Sequence, residues 1–371
     1  MHVPFCRSKC GYCDFYSLCD YSKALSYVKA FERQCRAWED RARCYQFDSV
    51  YIGGGTPTSL GADGLGSVIS LLKDSFCLSD DCEFTIEANP GTACQKDLSL
   101  YRKAGVNRIS FGVQSANDRL LKRIGRIHTF KEAADAILWA KEVGFSNISA
   151  DLMYALPDQS AKDLFESIDR LAELPLTHVS MYGLKVEANT PFGRDDNLAL
   201  PSEELQCEMY LEGVKRLEQY GFLQYEISNF AKKGYESRHN LKYWKRDPYL
   251  GLGCAAHSFF EGKRFFAPGD LTRYCTQQDF SLEGGFYDIT VPDEEDERIE
   301  RVMLSLRISN GMEVDALYAL CKAAERSPSR IYLDTLIGQG YAKMTDGFFS
   351  LTPKGMLVSN SILSQLMLYM E

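Results

Sequence analysis

Three cysteines near the start of the chain, Cys6, Cys10 and Cys13, stand at CxxxCxxC spacing within His2-Val3-Pro4-Phe5-Cys6-Arg7-Ser8-Lys9-Cys10-Gly11-Tyr12-Cys13. Thiolates are the usual ligands of a 4Fe-4S cluster, which needs four sites, so three cysteines leave one iron open to an exchangeable ligand. Three plainer readings compete. A structural zinc ion wants four ligands, and Cys19 or Asp14 offers the fourth, although no paired zinc-ribbon knuckles are repeated. Inert buried thiols suit the other ten cysteines better than three within eight residues. A disulfide framework is not expected in 371 residues with an odd thirteen cysteines and no signal-peptide pattern.

The composition, 45% hydrophobic and 25% charged, is enough to bury a large core and predicts one large domain plus a small one. The net charge of -9 gives no general attraction to nucleic acid, so none is expected as a partner. No uninterrupted apolar run approaches the length needed to cross a bilayer, and a reducing, cytoplasmic setting is expected.

Short β-rich runs alternate with amphipathic helical stretches: Ser49 to Ile52, Glu83 to Ala88, Arg108 to Gly112, Ile148 to Met153, His178 to Tyr182 and Leu223 to Ile227. A helix is expected ahead of the first, from about Ser22 to Arg43, with Leu25, Val28, Phe31 and Cys35 on one face and Ser22 as N-cap. Repeated βα units predict a parallel sheet, either open or a barrel. The unusual residues fall just after the strands: Gly53-Gly54-Gly55-Thr56-Pro57, Glu87-Ala88-Asn89-Pro90-Gly91, Gly112-Val113-Gln114 and Asp151. Either architecture gathers the carboxyl ends of parallel strands around one site.

Each of these elements has a chemical use. The three glycines bring backbone amides close to the carboxylate or amine of an amino acid, or else make a tight turn before Pro57. Glu87 and Asp151 can accept hydrogen bonds from an ammonium group and ribose hydroxyls, and Arg126 can hold a carboxylate bidentately. Gln114 can reach into the cavity. Singly, such residues are more often surface charges or satisfied amides, and their common placement is what points to a site.

The cysteine array with Tyr12 before its last member, followed by Gly53-Gly54-Gly55-Thr56-Pro57-Thr58, resembles the radical S-adenosylmethionine (SAM) superfamily. More narrowly the chain resembles the HemN/HemW group. That match rests on His2-Val3-Pro4-Phe5-Cys6, Glu87-Ala88-Asn89-Pro90-Gly91, Arg108-Ile109-Ser110-Phe111-Gly112-Val113-Gln114-Ser115, Asp151-Leu152-Met153-Tyr154-Ala155-Leu156-Pro157 and Asn189-Thr190-Pro191-Phe192. The resemblance implies an α/β fold, a partial (β/α)6 TIM-type barrel, in which SAM chelates the open iron and is cleaved to a 5'-deoxyadenosyl radical. It also implies that Tyr12 lies against the adenine, that Gly54, Gly55 and Thr56 run along the methionine moiety, and that Glu87, Gln114, Arg126 and Asp151 surround the rest. Tyr12 stands where another aromatic is common, so its backbone is expected to matter more than its ring.

Two departures separate the branches of the group. HemN, the oxygen-independent coproporphyrinogen III oxidase, has a further cysteine two positions after the third ligand, where this chain and HemW have phenylalanine, here Phe15. HemN also carries an N-terminal extension, which is not expected ahead of Cys6, five residues into the sequence. The second departure is His239-Asn240-Leu241-Lys242-Tyr243-Trp244, which matches the HNxxYW signature associated with haem binding in HemW. A neutral His239 imidazole can ligate haem iron, and Tyr243 and Trp244 offer flat apolar surface; the plainer reading is a loop histidine beside two core aromatics. His257 is a second candidate ligand or a structural histidine. The resemblance therefore implies a haem chaperone, which binds haem and passes it to an acceptor protein, with an electron donor for the cluster. The alternatives are a coproporphyrinogen III oxidase and a binding protein whose cluster is structural.

The sequence divides at about residue 270. Residues 1–270 are expected to hold the barrel and the HNxxYW segment, and 271–371 a helical, winged-helix-like unit that acts as a lid or docking module. Within it, Thr345-Asp346-Gly347 between two β-prone runs predicts a hairpin. Pro292-Asp293-Glu294-Glu295-Asp296-Glu297 suits a helix N-terminus, where carboxylates oppose the positive dipole end, and is no basic nucleic-acid face. A homodimer is compatible with the sequence. The group usually has a strand ahead of His2, with a tyrosine near SAM, so a short first strand is expected here, its neighbour's edge exposed unless another segment covers it.

Overall fold

Six strands pair in parallel, each with its neighbour in sequence, in a computed structural model that describes residues 1–370. They are β1 (His2–Val3), β2 (Phe47–Gly54), β3 (Leu78–Ala88), β4 (Arg108–Gln114), β5 (Asn147–Tyr154) and β6 (His178–Gly183). Two more complete an eight-stranded sheet: β7 (Leu223–Gln224) and β8 (Asn229–Ala231), with β8 antiparallel on β6 and β7 antiparallel on β8. The sheet remains open, with β1 and β7 at its ends. This is the partial (β/α)6 arrangement expected, with one correction. The run from Leu223 to Ile227 is a strand only at Leu223–Gln224, because Tyr225 and Ile227 turn their backbones to Ser309 and Arg307 instead.

Side chains alternate across a strand, and the two faces of this sheet differ. One is apolar: Ile52, Phe84, Ile86, Ile109, Phe111, Val113, Ile148, Ala150, Leu152, Val179 and Met181 join a single core with the helices. The other carries Tyr51, Glu87, Arg108, Ser110, Asp151 and His178, which meet one another across neighbouring strands. A polar face enclosed by its own sheet must find partners for its donors and acceptors, so it is built to hold polar groups.

In the outer layer α1 (Ala24–Ala42), α2 (Gly61–Ser75), α3 (Gln95–Lys103), α4 (Asp118–Arg123), α5 (Phe130–Glu142), α6 (Ala161–Ala172) and α7 (Glu203–Gln219) follow in order. Side-chain caps start the later helices, α4 to α7, and are missing from α1 to α3. Thr129 with Glu132 and Ser160 with Asp163 form reciprocal capping boxes at the starts of α5 and α6. The face expected for α1 holds at Val28, Phe31 and Cys35 and needs correction at Leu25. Leu25 is 70% exposed, and Tyr27, Phe31, Gln34, Cys35 and Trp38 point inward. Hydrogen bonds of Tyr27 to the His2 carbonyl and of Gln34 and Trp38 to the Tyr287 hydroxyl let polar side chains take the buried face. Ser22 does not cap α1; its hydroxyl and amide donate to Asp20.

After α8 (Arg238–Lys245) a three-stranded antiparallel sheet of β9 (His257–Phe260), β10 (Lys263–Phe266) and β11 (Asp288–Thr290) packs on α1, with the Trp38 and Phe265 rings stacked at 5.4 Å. The pairing of β10 with β11 crosses residue 270. The loop ahead of β9 covers β1: the Leu252 carbonyl accepts from the His2 amide, and a Cβ on Gly253 would lie 2.4 Å from the His2 carbonyl oxygen. The helix at Glu294–Ser305 starts with a capping box from Asp293. Helices at Val314–Leu320 and Pro328–Gly338 precede the expected hairpin, β13 (Ala342–Thr345) and β14 (Phe348–Leu351), and β12 (Met312–Glu313) pairs with β14. Asp346 and Gly347 both have positive φ, as a two-residue hairpin turn requires. Among the described residues no helix is long and apolar enough to cross a membrane.

Candidate functional site

The segment from Cys6 to Cys13 is a loop held from both sides. Cys6 donates its amide to Leu18, Gly11 donates to Ile124 beyond α4, and Phe192 donates to Gly11. The Phe192 ring closes on Gly11 so tightly that a Cβ there would lie 2.5 Å from it. The Asn189-Thr190-Pro191-Phe192 motif thus clamps the cysteine loop.

Cys6, Cys10 and Cys13 open onto one cavity of about 380 Å³. Tyr12, Gly54, Gly55, Thr56, Glu87, Gln114, Arg126 and Asp151 line the same cavity, so the residues singled out for the cluster and for SAM share one wall. Cys6 Sγ lies 3.4 Å from Thr56 Oγ1, and Arg126 Nη1 donates to Cys10 Sγ at 3.7 Å. Arg126 also donates to the Gly112 carbonyl, while its buried Nε has no partner. Gln114 is brought inward by an irregularity in the β4–β5 pairing and sits at φ 69°, a strained conformation for a residue with a side chain.

The carboxylates at the strand ends are short of counter-charge. Burial pushes Glu87 up to about 7, against hydrogen bonds from the Tyr51 hydroxyl at 2.7 Å and the Gly54 amide at 3.2 Å. Asp151 is also raised by burial, although Ser110 donates to it. Burial pushes the Tyr12 phenol well up. Two desolvated carboxylates and an unsatisfied guanidinium nitrogen on one wall fit a zwitterion with ammonium, carboxylate and ribose hydroxyls. Three free thiols beside them fit a cluster with one open iron. A single zinc ion fits less well: Cys19 is exposed, and among the described residues no three His, Cys, Asp or Glu side chains gather as a site for one ion.

Against the polar face of the sheet, α8 makes a second wall. Glu83, a buried residue of β3, accepts from the Arg238 and His239 amides at 3.0 Å and from the Ser237 hydroxyl. A carboxylate at the positive end of a helix is favourable placement, and it fixes α8 over Tyr51. The His239 ring stacks on Tyr51 at 5.0 Å, and burial pushes it down to about 3, so it is neutral. Its Nδ1 lies 2.9 Å from Ser49 Oγ and its Nε2 2.9 Å from the Tyr243 hydroxyl.

His239 and Tyr243 border a cavity of about 480 Å³ whose other walls include His2, Tyr16, Tyr51, Tyr249 and His257. The HNxxYW residues are thereby split. Asn240 and Trp244 lie outside that lining, and Trp244 faces Arg307. Phe15 and Gly54 belong to both cavities, so the two adjoin. Glu83 and Tyr51 stand in runs that read as ordinary β pattern; for Glu83 the available signal is an acid inside an otherwise buried run.

A family model for the radical SAM superfamily matches residues 1–181. The heme chaperone HemW of Bacillus subtilis (strain 168) is 36% identical over 98% of this chain and 97% of its own. The heme chaperone HemW of Escherichia coli (strain K12) is 34% identical, covering 98% and 96%. The solved structure of Escherichia coli coproporphyrinogen III oxidase (HemN), a radical SAM enzyme, superposes with a TM-score of 0.85 at 23% identity, covering 99% of this chain and 89% of that one. At that identity the likeness to HemN speaks for the fold alone. The identities along almost the whole length speak for more: the chain belongs to the HemW family of radical SAM proteins.

Proposed function

We propose that this protein is a haem chaperone, binding haem and passing it to an acceptor protein, with a 4Fe-4S cluster and SAM held beside the haem. The observation that carries the reading is the adjacency of two cavities, one lined by the three thiols and one by the HNxxYW helix, sharing Phe15 and Gly54. The relatives named as HemW give the cargo its chemical class.

Cys6, Cys10 and Cys13 would hold the cluster, and Glu87, Gln114, Arg126 and Asp151, with Tyr12 and the Gly54-Gly55-Thr56 backbone, would hold SAM. Bound together, cluster and SAM supply one-electron chemistry for which the protein has no groups of its own. The side chains bind and orient. Arg126, donating to Cys10 Sγ, places positive charge against the thiol set, and the raised carboxyl of Glu87 releases its proton when a cationic group arrives. The Phe192 clamp keeps the cysteine loop in place. His239 and Tyr243 would form the haem wall from α8, with Trp244 holding that helix from another side against Arg307, and Asn240 lying outside the wall. Residues 1–270 would carry these sites, with 271–371 as a lid or docking module.

The alternative reading is the oxidase, which the likeness in fold to HemN keeps in view. Anaerobic reconstitution with iron and sulfide decides, followed by haem titration and assays of SAM cleavage and protoporphyrinogen formation from coproporphyrinogen. Haem uptake without porphyrinogen product is expected. Product formation would replace the chaperone by the oxidase, and neither haem uptake nor product would overturn both.

A further inference from the structure

The structure assigns the iron-binding nitrogen for haem to His257 rather than to His239. This rests on the haem-chaperone reading and names the ligand within the same cavity. The chain has five histidines; two of them bond through both ring nitrogens and two through one. His2 uses one nitrogen, Nδ1, on the Cys254 carbonyl, and its other edge packs on Gly54, where a Cβ would lie 2.4 Å from Nε2; His128 bonds the Val113 carbonyl and is buried away from this cavity. His178 is held between Ser149 and Tyr225 at 2.8 Å on each side, and His239 between Ser49 and Tyr243 at 2.9 Å on each side. Among the described residues no hydrogen bond reaches the His257 ring.

Position agrees with chemistry. His257 opens β9 and is exposed on the wall of the 480 Å³ cavity, a size within the ~300–1,000 Å³ usual for cofactor-sized ligands. Its ring is oriented by stacking on Phe266, with centroids 4.9 Å apart and planes at 19°, so it is presented without being tied. The strand start is pinned by Gly251, where a Cβ would meet the His257 carbonyl oxygen at 1.9 Å. Across the cavity stand Tyr51, Tyr243 and Tyr249, flat surfaces for a porphyrin. Ligation by His239 would require breaking its bond to Tyr243 or to Ser49; ligation by His257 requires breaking nothing. His239 is then a positioning residue that keeps the Tyr243 and Tyr51 rings in place.

The test is resonance Raman spectroscopy of ferrous haem on the reconstituted full chain, with titration, for wild type, His257→Ala and His239→Ala. Wild type is expected to show an iron–histidine stretch. His257→Ala is expected to lose it, to bind haem at least the roughly tenfold more weakly that even outer-sphere changes cost a metal site, and to recover ligation with added imidazole. His239→Ala is expected to keep the stretch with weakened uptake. The stretch surviving in His257→Ala but not in His239→Ala, or missing from haem-loaded wild type, would overturn the assignment. No Soret shift with any protein would overturn the haem reading itself, an outcome distinguishable from both.

Discussion

Glu83 accepts the backbone amide of His239 at 3.0 Å across 156 residues of sequence. One carboxylate of the sheet thereby fixes the helix that borders the second cavity, since the same group takes the Arg238 amide and the Ser237 hydroxyl. Glu83→Gln keeps the shape and removes the charge. Charge-assisted bonds of this kind contribute about 1.5–3 kcal/mol, so α8 is expected to lose on the order of 2 kcal/mol of local stability. Hydrogen exchange of the Arg238–Lys245 amides checks this: faster exchange confined to α8 is expected, and unchanged protection would contradict it.

The raised carboxyl of Glu87, on the wall of the proposed SAM site, is expected to make SAM binding depend on pH. Its value moves from the ordinary 4.5 to about 7 on burial, so between those values the ligand-free protein holds a proton that the unfolded chain has released. Native protein binding the extra proton means that this group's contribution to stability falls as pH rises from 4.5 to about 7. A bound ammonium group reverses the preference and expels the proton. Affinity for SAM in the cluster-loaded protein is therefore expected to rise with pH up to about 7, and to flatten in Glu87→Gln. Titration calorimetry in two buffers of different ionisation enthalpy reads the proton released; no difference between the buffers would contradict the prediction.

Gln114 sits at φ 69° in the wall of the first cavity, where strain of ~1–3 kcal/mol is typical for a side-chain-bearing residue. Glycine adopts that backbone without strain. Gln114→Gly is expected to leave thermal stability level or raised by up to about 1 kcal/mol while weakening SAM binding. A melting curve beside a SAM titration checks both, and a variant that is less stable yet binds SAM normally would contradict the assignment of Gln114 to the ligand.

The strand ends were legible in sequence because glycines, prolines and lone acids interrupt β-prone runs just where parallel strands stop. Glu87, Gln114 and Asp151 stand at such interruptions and line one cavity. The inward face of α1 is legible at Val28, Phe31 and Cys35 but not at Leu25, which outranks Tyr27 by hydropathy while hydrogen bonds to His2 and Tyr287 decide which face turns in. The HNxxYW signature named four residues without their helical phase; spacing of four puts His239 with Tyr243 and Asn240 with Trp244 on different stripes. Glu83 and Tyr51 gain their roles from α8, which arrives more than 150 residues later; an acid in a buried run marks Glu83 as unusual, but no local pattern names the helix it meets.

On the proposed reading, the three thiols hold an iron–sulfur cluster whose open iron takes SAM. Electron paramagnetic resonance of the anaerobically reconstituted, reduced protein with and without SAM tests it most directly. A cluster signal that changes on adding SAM, and is lost in Cys6→Ser, Cys10→Ser and Cys13→Ser, is the predicted result. Protein that holds only zinc or no metal, or a cluster signal indifferent to SAM, would contradict it.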